Sequence, residues 1–148
     1  RKGKRSRWLS NADITSTLIA SKAKHVMVVA DSCYSGSISI KRGMVETASL
    51  VDENSVYYRK MASRKTRVVL TSGGLEPVED GRGKHSPFAR AFLQVLEDNE
   101  DIIAGRKLYL EVRKSVIVDA DNTPEYSRIR KAGDDRGDFL FVRRNLTK

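Results

Sequence analysis

Lys24 to Ser37 reads KHVMVVADSCYSGS and contains the one cysteine of the chain, Cys33. His25 to Ala30 is a short, β-branched apolar run of the kind that forms a strand buried on both faces. It stops abruptly at Asp31, Ser32, Cys33 and Gly36, so a buried strand is predicted to deliver a carboxylate and a thiol to a polar turn. In open α/β sheets ligands bind just beyond the carboxyl ends of the strands, and chemistry is expected at that turn.

Upstream of this stretch, Trp8 and Leu9 form a brief apolar anchor. Asn11 or Asp13 is placed to cap a helix carrying Ile14, Leu18 and Ile19 as far as about Ser21. Downstream, 37–54 (SISIKRGMVETASLVDEN) has no sustained period and reads as a long loop, a feature that in compact domains is usually functional or mobile. Ser55 to Ser63 reads as a helix, and Thr66 to Ser72 (TRVVLTS) as a second buried strand ending in Gly73 and Gly74. After the loop Gly74 to His85, Ser86 and Pro87 supply an N-cap and a first-turn proline. The helix they start carries Phe88, Ala89, Phe92, Leu93 and Leu96 as an expected core stripe. Asn99 to Gly105 reads as a turn, and Leu108, Val112 and Val116 mark a helix ending near Ala120. A polar segment then runs through Pro124, and Phe139 to Val142 is an apolar run expected to form the last strand.

Strands alternating with helices predict an α/β domain with a mostly parallel sheet. The 148 residues suffice for one domain with one core. Three strands make a thin sheet, so earlier strands are expected upstream of this chain. No apolar run approaches the roughly 20 residues that cross a bilayer, and no signal peptide is visible. A single cysteine excludes an internal disulfide framework and any multi-cysteine metal site, and a reduced, cytoplasmic setting is expected. The formal charge is +9, from 28 Lys and Arg against 19 Asp and Glu, but five of those cations lie in the arm 1–7, RKGKRSR. The remainder has no stripe of interleaved basic and aromatic residues to stack bases, so the arm reads as a solvated tail and nucleic acid is not the expected partner.

DSCYSG at Asp31 to Gly36 resembles the cysteine motif of the caspase-like peptidases, the group of caspases, metacaspases and bacterial caspase-domain proteins (peptidase family C14). Two further blocks resemble the bacterial branch: TSGGLEPVEDGRGKHSPFARAFLQVLED from Thr71 to Asp98, and PEYSRIRKAGDDRGDFLFV from Pro124 to Val142. Together the three blocks cover about a third of the residues, in the family's order. The resemblance implies that 1–148 is the C-terminal, cysteine-bearing part of a three-layer α/β/α domain with a mostly parallel sheet. It implies a cysteine endopeptidase without a cofactor or catalytic metal, acting on protein or peptide substrates. The family's catalytic histidine lies in a His-Gly motif upstream of the position of Trp8, so an upstream segment or a partner chain is expected to carry it. A catalytically inactive caspase-fold interaction module is the alternative.

A thiol attacks a peptide carbonyl only as thiolate, so Cys33, the expected nucleophile, needs a histidine nearby. His25 begins the same strand, and eight residues at about 3.3 Å each put it roughly 26 Å away. His85 lies in the loop after the second strand, at the same sheet edge, so geometry alone leaves it open as the base; by resemblance that loop is on the substrate-pocket side, and His85 is expected instead to stabilise the loop or the start of the helix. Asp31 precedes Cys33 by two residues, so both side chains leave the same face if the strand continues. A carboxylate beside the thiol hinders ionisation unless it is turned toward a cationic substrate group. Metacaspases carry the same DSC order, and by that resemblance Asp31 binds Arg or Lys at P1, with Ser72 and Glu76 completing the substrate site and Glu79 and Asp80 as weaker candidates. Lys41 and Arg42 make the long loop a natural point of self-processing.

Overall fold

The described residues, 10–31, 54–73 and 85–144 of a computed structural model, hold four helices and five strands in a mixed α/β arrangement. The first helix, α1 (Asn11–Ala20), is capped by Ser10, one position ahead of Asn11 and three ahead of Asp13, the two expected caps. Ser10 Oγ accepts from the Asp13 amide at 3.1 Å, and the Asp13 carboxylate accepts from the Ser10 amide at 3.2 Å. This reciprocal box satisfies two amides that the first turn would leave open, and the Ser10 hydroxyl, donating to the Asp13 carboxylate at 2.7 Å, together with the Ser10 amide holds that carboxyl below its ordinary value.

Strand β1 (His25–Ala30) follows, then helix α2 (Ser55–Ser63), whose cap Asn54 accepts from two amides, and strand β2 (Thr66–Thr71). β1 and β2 are parallel, in register from His25 opposite Thr66 to Ala30 opposite Thr71, and one further bond runs from the Ser72 amide to the Ala30 carbonyl at 3.1 Å. β2 is buried along its whole length, as expected. β1 is not: it is half-buried, with Val29 42% exposed, because it stands at the edge of its sheet and no described strand pairs with its outer side. An apolar run is covered on both faces only when the neighbouring strands and helices are all in place.

Helix α3 (Pro87–Asp98), strand β3 (Ile102–Ala104), helix α4 (Gly105–Asp119), strand β4 (Glu125–Arg128) and strand β5 (Leu140–Val142) complete the described elements. β4 pairs antiparallel with β2, giving a sheet of order β1-β2-β4 that is mixed among the described strands. β5 was expected to extend that sheet but pairs instead with β3 in a separate two-stranded sheet. β3 lies in the stretch read as a turn, and β4 directly after the polar segment that ends at Pro124, in residues assigned to no element. Both are short strands of three and four residues, too brief for a period to register.

Alternation along the strands assigns the two faces. Met27, Leu70 and Tyr126 face a core built with Phe88, Ala91, Leu108, Val112 and Val116 of α3 and α4. Val26, Val28 and Val69 face Ile14 and Leu18 of α1, with Ile129 and Ala132. Helices thus cover both faces of the sheet. The α3 stripe is rotated slightly from expectation: Phe88 and Ala91 are buried and Phe92 and Leu96 pack on them, whereas Leu93 is 44% exposed. Positions 88, 92, 95 and 96 share one side at helical spacing, and 93 falls about 100° away from 92.

The α4 start has no side-chain cap of its own at Ala104. Asp138 substitutes from far along the chain, accepting from the Arg106 amide at 3.1 Å, the Phe139 amide at 2.8 Å and the Tyr126 hydroxyl at 2.6 Å. A β-carbon at Gly105 would sit 2.6 Å from that hydroxyl, so only glycine fits. Burial, reinforced by the Asp138 charge, raises the Tyr126 phenol well above its ordinary 10.0. A raised acid is favoured in its protonated form by folding, so its contribution is complete below pH 10 and is lost as pH rises toward the folded-state value. Tyr126→Phe is therefore expected to cost stability at neutral pH, by about 1.5–3 kcal/mol for a hydrogen bond to a charged group. The same variant should flatten the alkaline fall in stability. Urea unfolding of both proteins between pH 7 and 11 checks this, and parallel curves would contradict it.

Candidate active site

Asp31 is the first residue past β1. Alternation puts it on the face of Met27 and Val29, the face that α3 covers, and register places Ser72 beside it at the end of β2. α3 begins directly over this edge. Its cap, Ser86, accepts from the Ala89 amide at 3.0 Å and donates its own proton to Asp31 Oδ2 at 2.5 Å. The carboxylate that ends β1 is thereby tied to the amino end of α3, where the exposed amides favour negative charge.

The end of β2 is unusual in its polar bookkeeping. Among the described residues, Thr71 Oγ1 and Ser72 Oγ are both buried without a hydrogen-bond partner, Ser72 being 0% exposed. Ser72 shares the Asp31 face and Thr71 the opposite one. Gly73 next to them packs against the buried Asn122, to which an added β-carbon would approach within 3.6 Å. The segment that includes Asn122 leads into β4, whose antiparallel direction brings Glu125 to the same end of the sheet, opposite Thr71.

Two of the expected substrate-binding residues, Asp31 and Ser72, are thus neighbours. Cys33, two residues further along the chain from Asp31, lies outside the described residues, as do Glu76, Glu79, Asp80, the arm 1–7 and the loop 37–54 apart from Asn54. His85 is exposed and adjoins Ser86, at the Asp31 edge. His25 is at the other end of β1, where its Nε2 lies 3.1 Å from the Arg64 carbonyl. Among the described residues no group of three or more histidine, cysteine or acidic side chains is arranged to hold a metal ion, and no helix is long and apolar enough to cross a membrane.

A groove of about 340 Å³ lies elsewhere, lined by Leu93, Leu96, Phe141 and Val142. It adjoins the far end of α3, which at 1.5 Å per residue is roughly 18 Å along the helix from Ser86. It has no part in the Asp31 cluster. Sequence reading assigned Ser86 a capping role alone and gave Asn122 none. The Ser86 contact was nonetheless signalled: a helix that follows a parallel strand starts at the carboxyl edge of the sheet, which is where Asp31 was already placed. Comparison of the chain with protein-family models, with curated proteins and with solved structures finds no match.

Proposed function

We propose that this chain is the cysteine-bearing part of a caspase-type cysteine endopeptidase that cuts protein or peptide substrates after Arg or Lys, built on the three-layer fold of that family. The observation that carries the reading is the convergence of Asp31 and Ser72 at the carboxyl edge of a parallel strand pair, with Asp31 two residues before Cys33. Helices on both faces of the sheet and an antiparallel β4 beside β2 agree with it. In this reading the Cys33 thiolate attacks the scissile carbonyl, and a histidine accepts the thiol proton and passes it to the departing amine. Water then hydrolyses the acyl thioester. The developing oxyanion is met by the Cys33 amide and by a glycine amide of the His-Gly motif. Asp31 faces the P1 cation, with Ser72 and, by resemblance, Glu76 at the pocket wall. No cofactor is needed, and a reducing cytoplasm suits a lone nucleophilic thiol.

The histidine is assigned to an upstream segment or a partner chain. His25 is tied to Arg64 at the wrong end of β1, and neither His25 nor His85 precedes a glycine. The outer edge of β1, which no described strand covers, offers backbone groups to a strand that would bring such a histidine alongside. The same lack of a His-Gly motif in 1–148 favours, as the second reading, an inactive interaction module. Expression of the whole open reading frame separates them: turnover of P1-Arg peptides that Cys33→Ala abolishes is expected, together with no turnover by 1–148 alone. A silent full-length protein would leave the module. Cys33-dependent activity of 1–148 alone would instead make His85 the base.

A further inference from the structure

We infer that Ser86 is a positioning residue for substrate selection, its hydroxyl holding the Asp31 carboxylate in the orientation that receives a cationic P1 side chain. The inference rests on the reading of Asp31 as the P1 carboxylate. Asp31 is exposed and lies beyond the last ladder residue of β1, so nothing in the strand itself restricts its side chain. Ser86 does. Its oxygen is committed to the Ala89 amide, which leaves its single proton directed at Asp31 Oδ2. Its backbone is held in turn: it precedes Pro87, which restricts it to the extended conformation it adopts, φ −59° and ψ 160°. One oxygen of Asp31 is therefore anchored to a rigid helix end, and Oδ1, to which no described residue donates, is left for an incoming guanidinium or ammonium.

Fixing a carboxylate before the substrate arrives removes an ordering cost from binding, not from the chemical step. Loss of the hydroxyl should therefore appear in KM. Substitution must also separate this role from capping, and glycine does so, because it replaces serine at an N-cap with little loss of helix stability. In the full-length protein, Ser86→Gly is expected to raise KM for a P1-Arg peptide about 3- to 10-fold, with kcat within about twofold. Ser86→Thr, which keeps both the cap and the donor, should restore the wild-type KM. Alkylation of Cys33 by iodoacetamide should proceed at the wild-type rate in both variants.

An unchanged KM in Ser86→Gly, alongside loss of P1-Arg cleavage in Asp31→Ala, would overturn the role of Ser86 and leave that of Asp31 standing. Equal losses in Ser86→Gly and Ser86→Thr, or a fall confined to kcat, would also overturn it. Unchanged cleavage by Asp31→Ala would remove the underlying reading and this inference with it.

Discussion

Peptides differing only at P1 are expected to be cut by the full-length protein in the order Arg above Lys, with Asp at least 100-fold lower in kcat/KM. A carboxylate about 4 Å from a guanidinium gains about 1 kcal/mol where water fills the space and on the order of 4 kcal/mol at an effective dielectric near 20. A bound peptide moves the exposed Asp31 from the first regime toward the second. An acidic P1 group meets repulsion of similar size, so the two classes differ by twice the interaction before desolvation is subtracted. Arg gains over Lys because its planar fork can engage one carboxylate through two bonds, although Asp31 Oδ2 already accepts from Ser86 and the advantage is correspondingly reduced. Asp31→Ala should lose the preference for basic substrates and keep Cys33 open to small alkylating reagents. Fluorogenic peptides with Arg, Lys or Asp at P1 measure this, and efficient cleavage after Asp would show that Asp31 does not set specificity.

Arg67→Met is expected to remove a large share of the stability of the fold. Arg67 is 0% exposed, in the middle of the main sheet. Its guanidinium donates to the carbonyls of Leu18, Ser21, Ala23, Lys24 and Thr66 at 2.7–3.4 Å, using all five N–H groups. Two of these carbonyls, of Leu18 and Ser21, belong to the carboxyl end of α1, where a cation also suits the helix dipole. Methionine fills similar volume but takes a donor from each of five carbonyls, of which that of Lys24 keeps another, the Thr66 amide at 2.9 Å, and a buried acceptor left unpaired costs about 1–3 kcal/mol. Native domains have only about 5–15 kcal/mol in total. Lysine restores the charge with three donors, so Arg67→Lys should fall between the two. Guanidinium unfolding monitored by far-UV circular dichroism checks the order, and a methionine variant as stable as wild type would contradict it.

The legible parts of this fold were those written in local pattern. The apolar run of β1, the all-buried β2 and the Ser86-Pro87 helix start are each set by residues within one element, and each was found within a residue or two. What escaped depends on contacts across the chain. β1 was read as doubly buried because its composition is that of a central strand, but burial is a property of the neighbours, and no described strand flanks its outer side. Arg67 sits inside TRVVLTS, where a polar residue in a buried strand looks anomalous until five carbonyls, four of them 43–49 residues earlier, are seen to satisfy it. β4 begins with exposed Glu125 and contributes Tyr126 to the core, a pattern too short to register beside the longer helices. In the candidate site, the strand-end rule located Asp31 and Ser72. The hydroxyl that holds Asp31 comes from 55 residues away and follows only from the path of the chain over the sheet.

Every expectation about activity requires Cys33 to be a nucleophile addressed by a basic side chain seated on Asp31. Intact mass spectrometry after treatment of the full-length protein with matched acyloxymethyl ketone peptides, carrying Arg or Asp at P1, tests it in a single measurement. One equivalent of the Arg reagent on Cys33, little of the Asp reagent, and loss of Arg labelling in Asp31→Ala are expected. Equal labelling by both reagents, or an Arg adduct on any residue other than Cys33, would contradict it.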